Sequence, residues 1–291
     1  MARPRSTNSS RVRAPIKRKR PTPRRARERR PVALVTGASS GIGQELAKVF
    51  AANGFDLVLV ARRRGPLQQL AAACASKHGT EVTVLPMDLL DLAAPERIHA
   101  ALRRKGISIE VLVNNAGVAI VDHFVANPLE AQLDLVRLNV IAPTALARLF
   151  LPDMIKRKKG RIMNVASVAA FQPTPSLAVY GASKAFILSL SESLAVELEG
   201  TGVTVTALCP GFTETPLVEN VERRFHNPGI VPGFFMLDAA TVAKEGYAAC
   251  MAGTPVCVNG FTYEMLICLG RMQPRWAVRK IASMVSRRFH D

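Results

Sequence analysis

The chain has 291 residues, 48% of them apolar and 21% charged, which suits a globular protein with a sizeable core. Its five cysteines form no CxxC pair and no histidine cluster accompanies them, which argues against a zinc site and a disulfide framework. No run reaches the length of about 18 apolar residues that a membrane-spanning helix needs, and no apolar stretch near the basic N-terminus fits a secretory signal peptide.

The net charge of +17 belongs mainly to residues 1–30, which hold 13 Lys or Arg residues and one acid, Glu28, and so carry +12. Because this segment is rich in Arg, Pro and Ser and has almost nothing to bury, we expect a disordered basic tail. We favour a solubilising role for it. Contact with an anionic membrane or with nucleic acid, a nuclear address in IKRKRP and an organelle transit peptide are the alternatives, and nucleic acid is not an expected partner.

From residue 31 onwards, apolar runs alternate with stretches that have helical spacing. The predicted strands are, in chain order, PVALVTG, FDLVLVARR, EVTVLPMDL, IEVLVNNAG, GRIMNVAS, GVTVTALCPG and TPVCVNG. The predicted helices include GQELAKVFAANG, GPLQQLAAACASKHG, AAPERIHAALRRKG and one that begins near Tyr180. This pattern predicts an α/β, doubly wound parallel sheet of the Rossmann type in a single domain, residues 31–260, followed by a C-terminal helical extension, residues 261–291.

A glycine-rich loop, TGASSGIG at residues 36–43, lies between the first predicted strand and the first predicted helix. Glycines permit a tight turn and close approach of the backbone, and the following helix directs N–H groups at an anion. An ordinary strand-to-helix turn is the alternative, but the position in the first βα unit favours a dinucleotide pyrophosphate. The predicted cofactor-binding residues here are Gly37, Ser39, Ser40, Gly41, Ile42 and Gly43.

The second predicted strand ends in VARRR, at the point where a site for NAD usually carries an acid. A guanidinium can pair with a 2′-phosphate through parallel hydrogen bonds. We therefore predict NADP(H) as the cofactor, with Arg62 as a contact. The alternative is a solvated run of arginines, which is what we expect of Arg64.

Tyr180 and Lys184 are four residues apart in YGASKAF, a spacing that places both side chains on one face of a helix. Ser167, in NVASVAA, precedes Tyr180 by thirteen residues, and NNAG ends the fourth predicted strand. Together with TGASSGIG, these elements resemble the short-chain dehydrogenase/reductase family in order and spacing, over about residues 31–260. A YxxxK pair alone is common by chance, whereas the full set is specific.

The resemblance implies an enzyme with Asn139, Ser167, Tyr180 and Lys184 as its catalytic residues. A nearby cation lowers the pKa of a phenol, so we expect Lys184 to tune Tyr180 as a general acid in reduction and a base in oxidation. Ser167 would hydrogen-bond the substrate oxygen, and Asn139 matches the helix asparagine that holds a water between the lysine and solvent. The alternative is a packed tyrosine beside a surface lysine.

The resemblance also extends the predicted cofactor contacts to other strand ends. Asp88, in PMDL, matches the aspartate near the adenine ring. The remaining predicted contacts are Asn115, Ala116 and Gly117 after the fourth strand, Tyr180 and Lys184 themselves, and Pro210, Gly211, Thr213 and Thr215 after the sixth strand. For Asn115, Ala116 and Gly117, stabilising the turn is the alternative role.

Residues 216–237 fall where family members carry a substrate lid, and its apolar side chains, Phe225, Phe234, Phe235 and Met236, predict a pocket for a hydrophobic carbonyl or alcohol substrate. The loop FQPTPSLAV is the expected opposite wall, and the alternative is that the aromatic residues pack the lid onto the core.

A basic amphipathic helix near the C-terminus either lies on an anionic bilayer or caps the core or a subunit interface. We expect a cytoplasmic protein, with peripheral membrane contact as an alternative, and the resemblance implies a homodimer or homotetramer.

Two function classes follow from these observations. The first is an NADP(H)-dependent carbonyl reductase or alcohol dehydrogenase that transfers hydride. The second is a non-catalytic, dinucleotide-binding regulator whose basic tail contacts nucleic acid or membrane. The intact set of Ser167, Tyr180 and Lys184 favours the first class, because binding alone has no need of a tuned phenol.

Overall fold

The computed structural model describes residues 30–219 and 233–287, so the predicted tail up to residue 29 and Phe225 lie outside the described residues. Seven strands form one sheet: β1 (Val32–Thr36), β2 (Asp56–Ala61), β3 (Val82–Pro86), β4 (Val111–Asn114), β5 (Gly160–Val165), β6 (Val203–Cys209) and β7 (Val256–Val258). Their order is β3-β2-β1-β4-β5-β6-β7, and each neighbouring pair is parallel. All seven predicted strands are present, and the doubly wound α/β fold is confirmed.

Helices connect the strands and cover the sheet. They are α1 (Gly41–Ala52), α2 (Arg64–His78), α3 (Ala94–Arg104), α4 (Leu129–Val136), α5 (Ala142–Lys156), α6 (Ala178–Glu197), α7 (Ala239–Ala252), α8 (Phe261–Arg271) and α9 (Arg275–Arg287). A π-helical turn, Arg137–Ile141, joins α4 to α5, and short 3₁₀ helices span Val168–Phe171 and Gly233–Phe235. Local sequence sets several helix ends: Gly79 ends α2 in the left-handed conformation, and the Asp238 carboxylate caps α7 by accepting from the Ala240 and Thr241 N–H groups.

The alternation of side chains along β1 shows why both faces of the sheet are covered. Ala33 and Val35 point into one buried cluster, which contains Phe50 of α1. Leu34 points into the cluster on the opposite face, which contains Ile98 of α3. Because successive side chains of a strand point to opposite faces, a strand buried on both sides must be a continuous apolar run, as VALVT is.

Within residues 30–219 and 233–287, one helical stretch, Leu129–Lys156, is long and apolar enough to cross a membrane by length and composition alone. The sequence search for uninterrupted apolar runs did not find it, because polar residues such as Asp134 and Asn139 interrupt it. Core helices of soluble proteins have the same composition, and Leu146, Phe150 and Met154 of this stretch pack into the buried cluster beneath the sheet.

The segment after β7 is in contact with the predicted domain that precedes it. Tyr263 of α8 is 7% exposed, and its hydroxyl is hydrogen-bonded to backbone groups of Phe212 and Phe235. Arg271 places its guanidinium 5.0 Å from the centroid of the Phe171 ring. The division of the chain at residue 260 stays a prediction, but these contacts join the two sides of that boundary.

Candidate active site

A cleft of about 720 Å³ opens at the edge of the sheet where the parallel strands reach their carboxyl ends. Loops that are far apart in sequence meet there because β1, β2, β4, β5 and β6 all point to this edge. The predicted site residues that line the cleft are Gly37, Ser39, Ser40, Gly41, Ile42, Arg62, Asp88, Asn115, Ala116, Gly117, Ser167, Tyr180, Lys184, Pro210, Gly211, Thr213 and Thr215. Two further predicted residues, Gly43 and Asn139, lie behind this lining.

The loop between β1 and α1 has the backbone that its glycines predict. Gly37 and Gly41 have φ angles of +66° and +56°, in the left-handed region that favours glycine. Ser40 is the N-cap of α1, yet its hydroxyl makes no capping hydrogen bond, and the first turn of the helix carries no acid. The N–H groups of that turn have no partner within the helix, so the loop and the helix together form a cradle for an anion.

Gly43 makes room for a hydrogen-bonded asparagine. The Asn115 side-chain amide donates to the carbonyl of Thr36 at 2.9 Å and to that of Gly37 at 3.3 Å. A Cβ atom on Gly43 would lie 2.2 Å from the Nδ2 atom of Asn115. The third glycine of the motif therefore lets Asn115, at the end of β4, bind the glycine loop at the end of β1.

The three arginines after β2 differ in their position relative to the cleft. Arg62 and Arg63 are exposed and line the cleft, whereas Arg64 begins α2 and is not part of the lining. No ion pair engages Arg62 or Arg63 among the described residues. Asp88 lies on the same side of the cleft and accepts a hydrogen bond from the Leu90 N–H at 3.1 Å. Within residues 30–219 and 233–287, therefore, two guanidinium groups without an ion pair line the end of the cleft beyond β2.

Ser167, Tyr180 and Lys184 come together beside the ends of β5 and β4. Tyr180 and Lys184 lie one turn apart on α6, and the ammonium is 5.7 Å from the centroid of the phenol ring. Lys184 is 6% exposed, and its ammonium donates to the carbonyl of Val165, the last residue of β5, at 2.8 Å. Ser167 follows that strand, hydrogen-bonds the Tyr180 side chain and accepts from the Ala169 N–H at 3.1 Å.

Burial shifts both titrating groups towards their neutral forms. It lowers the pKa of Lys184 to about 8, because an ammonium loses hydration inside the protein. It also raises the pKa of the Tyr180 phenol, an effect that the hydrogen bond with Ser167 opposes. Desolvation is the larger influence on the pKa of Tyr180, and the hydrogen bond with Ser167 is the only influence that lowers it. The chain by itself therefore does not show the lowering of the phenol pKa by Lys184 that the sequence predicts.

Asn139 lies in the π-helical turn between α4 and α5 and is fully paired. Its Oδ1 atom accepts from the Val118 N–H at 3.0 Å, while Nδ2 donates to the Val118 carbonyl at 2.9 Å and to the Ser183 hydroxyl at 3.1 Å. A Cβ atom on Gly117 would lie 3.1 Å from Oδ1 of Asn139 and 3.5 Å from the Lys184 ammonium. Asn139 thus holds the turn after β4 beside α6. A π-turn inside an α-helix is frequent at functional sites.

The sequence did not identify the apolar part of the lining, because single Leu, Val and Met residues in apolar strands and loops look like core. These additional lining residues include Met87, Leu89, Leu90, Val118, Ala119, Ile120, Leu138, Leu217 and Val218. Conversely, Phe235 and Met236 of the predicted lid do not line this cleft, and the side chain of Phe234 lies outside the described part of the chain. In the predicted opposite wall, Ser176 and Val179 line a separate small cavity with Ile120.

Comparison with known proteins shows the family of the chain. The sequence model of the family described as short chain dehydrogenase matches residues 31–225. A very-long-chain 3-oxoacyl-CoA reductase of Phaeosphaeria nodorum is 35% identical over 219 residues, which cover 74% of this chain and 63% of that enzyme. The match therefore spans less than two thirds of that relative's length.

Two solved structures have the same fold. A short-chain dehydrogenase of Sphingobium yanoikuyae in complex with NADPH is 33% identical, with a TM-score of 0.73, and the match covers 81% of this chain and 92% of that one. A variant of actinorhodin polyketide ketoreductase with NADPH is 29% identical, with a TM-score of 0.72, over 79% of this chain and 95% of that one. From its sequence, its sheet order and these similarities, the chain belongs to the short-chain dehydrogenase/reductase family.

Proposed function

We propose that the protein is an NADP(H)-dependent oxidoreductase that interconverts a carbonyl and an alcohol by hydride transfer. The observation that carries this proposal is the placement of Ser167, Tyr180 and Lys184 in the same cleft as the glycine loop and the unpaired arginines. A non-catalytic regulator would need only the nucleotide-binding half of this cleft. It would not need a buried lysine next to a partly buried phenol, and the binding-only alternative is therefore not favoured.

The residues present fit a dinucleotide that carries a 2′-phosphate. The cradle before α1 suits a pyrophosphate, since it offers N–H groups, the Ser40 hydroxyl and no acid. Arg62 and Arg63 supply the positive charge that a 2′-phosphate requires. When bound, NADP(H) supplies or accepts the hydride. The NADPH complexes of the two structural relatives named above support the same assignment.

Tyr180 would handle the proton of the reaction. In reduction the Tyr180 hydroxyl donates a proton to the carbonyl oxygen of the substrate. In oxidation the phenolate accepts the hydroxyl proton of the alcohol. Ser167 would donate a hydrogen bond to the same oxygen and hold it in place. The Lys184 ammonium would favour the charged phenolate.

Asn139 would act through Lys184 rather than on the substrate. Its side chain fixes the turn at Val118 and the Ser183 hydroxyl, both next to the lysine. The water that the family resemblance assigns to this asparagine stays a prediction. The apolar lining residues Ile120, Leu217 and Val218 support a hydrophobic substrate, because a pocket lined by apolar side chains favours the burial of apolar surface.

Exposed apolar side chains support assembly into a homodimer or homotetramer. Leu129, Leu133 and Ile141 of the α4–α5 stretch are exposed, as are Phe186 and Val196 of α6. Exposed apolar surface of this kind marks contact sites between proteins. We propose that the α4–α5 stretch and α6 form the contact between copies of the chain. The cytoplasmic location stays a prediction.

The C-terminal helices carry a second exposed surface, which combines apolar and basic side chains. Phe261, Met265, Leu269, Met272 and Trp276 recur every three or four residues and are all exposed. Residues 265–290 contain no acid, and Arg275, Arg279 and Lys280 are exposed beside them. Because two such basic surfaces repel each other, we propose an anionic lipid bilayer rather than a second copy as the partner here.

The first prediction concerns Tyr180. Tyr180→Phe should lower kcat/KM for NADPH-dependent carbonyl reduction about 10²- to 10⁴-fold, the usual contribution of a general acid. The ring and its packing stay, so NADPH should still bind, and its dissociation constant measured by fluorescence should rise far less than kcat/KM falls. A phenylalanine variant with near wild-type turnover would show that Tyr180 does not supply the proton.

The second prediction concerns pH. Since the pKa of Lys184 is lowered to about 8, its ammonium form is lost as the pH rises through that value, and kcat/KM for reduction should fall there. In Lys184→Arg the guanidinium stays protonated, so the fall should move to higher pH. If the pH profile of Lys184→Arg matches that of the wild type, another group controls it.

The third prediction concerns cofactor choice. Arg62→Ala should weaken NADPH binding about 10- to 100-fold, the loss expected for hydrogen bonds to a charged phosphate, and should change NADH binding little. Arg64→Ala is the matched control, because this neighbouring arginine does not line the cleft. Equal NADPH affinities of the two variants would remove Arg62 from the 2′-phosphate site.

The fourth prediction concerns the C-terminal surface. Trp276 is the single tryptophan of the chain and is exposed, so vesicles of phosphatidylcholine with phosphatidylserine should shift its fluorescence to shorter wavelength. Replacing Arg275, Arg279 and Lys280 with Gln should abolish the shift, whereas the same change at Arg103, Arg104 and Lys105, at the C-terminal end of α3, should not. If anionic vesicles leave the Trp276 fluorescence of the wild-type chain unchanged, the bilayer proposal is refuted.

A further inference from the structure

Tyr263, in the first turn of α8, forms two hydrogen bonds through its hydroxyl group. The oxygen accepts a hydrogen bond from the Phe212 N–H at 3.1 Å, and the hydroxyl hydrogen is donated to the Phe235 carbonyl at 2.8 Å. Burial raises the pKa of Tyr263, so the hydroxyl stays protonated near neutral pH and can donate and accept together. One side chain of the C-terminal segment therefore joins two other segments of the chain.

The ring of Tyr263 also occupies the space above a glycine of the cleft. A Cβ atom on Gly211 would lie 2.1 Å from the Tyr263 ring, so only glycine allows this approach. The ring of Phe235 also packs against the Tyr263 ring, with the two centroids 5.8 Å apart. The aromatic ring thus supports Gly211 by contact, while its hydroxyl holds the backbone next to it.

The backbone held in this way is part of the cleft lining. Pro210, Gly211, Thr213 and Thr215 face the cleft, and Phe212 is the residue between them that Tyr263 binds. A second contact holds the same stretch from the opposite direction: the Leu237 N–H donates to the Phe212 carbonyl at 2.8 Å, and the Glu214 N–H donates to the Leu237 carbonyl at 3.0 Å. Without the Tyr263 hydroxyl, the Phe212 N–H and the Phe235 carbonyl would lose this partner.

We propose that Tyr263 is a positioning residue that holds residues 210–215 in the geometry that binds NADP(H). The C-terminal helix α8 then sets cofactor affinity, although it does not line the cleft. The inference rests on the proposed function, because it assigns a cofactor to these residues. It goes beyond that function in giving a role to a segment outside the predicted catalytic domain.

The alternative is that Tyr263 only fills space. Phenylalanine at this position would fill the same space and keep the contact with Gly211, and it would lose only the two hydrogen bonds. The Tyr263→Phe variant therefore separates positioning by the hydroxyl from packing by the ring.

The experiment compares Tyr263→Phe with Tyr247→Phe in the full-length protein. Tyr247, in α7, packs edge-on against Phe50 with the centroids 5.0 Å apart and does not line the cleft, so it is a matched control. The dissociation constant of NADPH is measured by nicotinamide fluorescence without substrate, and the thermal midpoint is measured alongside it. We expect an increase of about tenfold in the dissociation constant for Tyr263→Phe, as for the loss of one to two hydrogen bonds, and no change for Tyr247→Phe. At saturating NADPH, kcat should be retained because Ser167, Tyr180 and Lys184 are untouched.

Hydrogen exchange on the wild-type chain gives a second readout that does not depend on the folding of a variant. If α8 positions residues 210–215 for NADPH, then NADPH must in turn stabilise α8, since coupling between two sites is reciprocal. Exchange of amides in α8 should slow when NADPH is added, together with exchange at Phe212. Unchanged exchange in α8 would overturn the inference.

The other outcomes also decide the question. A Tyr263→Phe variant that binds NADPH like the wild type, with only a lower thermal midpoint, would make Tyr263 a packing residue and leave the proposed function intact. A wild-type chain that binds no NADPH would overturn the proposed function and this inference together.

Discussion

The buried ammonium group of Lys184 is the constraint on which the geometry of the site depends. An ion removed from water must be paired, and here the Val165 carbonyl, at the end of β5, accepts its hydrogen bond at 2.8 Å. This bond fixes α6 against the middle of the sheet edge, since β5 lies between β4 and β6. Tyr180, one turn earlier on α6, is thereby placed beside Ser167, which follows the same strand. The Lys184–Val165 hydrogen bond therefore aligns the side chains of Tyr180 and Lys184 on α6 with Ser167, which follows β5.

The same edge explains how the two halves of the cleft are joined. Asn115 binds the loop after β1 from the end of β4, and Asn139 binds the turn after β4 from the helix that follows. Ser183, which accepts from Asn139, also donates to the Tyr180 carbonyl at 2.7 Å. A chain of polar contacts therefore runs from the glycine loop to α6. Because these groups are buried and paired, each holds its neighbour in a narrow range of positions.

The sequence contained most of the fold and the polar half of the site. Buried parallel strands are continuous apolar runs, so all seven could be recognised without knowledge of their partners. Topology then places their carboxyl ends together, and this is why residues as far apart as Gly37 and Thr215 could be assigned to one cleft. The helical stretch around Asn139 was harder, because its apolar face is interrupted by polar residues that serve the site.

What could not be predicted depends on contacts between segments that carry no motif. Tyr263 looks like an ordinary aromatic residue in an apolar helix, and its role depends on two backbone groups, at Phe212 and Phe235, that a sequence does not reveal. Gly43 was assigned to the cofactor from its place in the loop, yet its immediate neighbour is the Asn115 amide. The sequence also could not show that Phe235 is absent from the cleft lining, because its ring packs against Tyr263 instead.

Burial decides the protonation states of Tyr180 and Lys184 in the chain by itself. Burial raises the pKa of Tyr180 and lowers that of Lys184, so the chain by itself favours a neutral phenol near a lysine that titrates at about pH 8. A protonated phenol is ready to give its hydrogen to a carbonyl oxygen, whereas removal of hydrogen from an alcohol first requires the phenolate. Additional positive charge in the cleft would be needed to lower the pKa of the phenol enough for the phenolate to form near neutral pH. The chain's own electrostatics therefore keep the phenol in the form that can donate a proton, and the phenolate becomes more populated as the pH rises towards the pKa of the phenol.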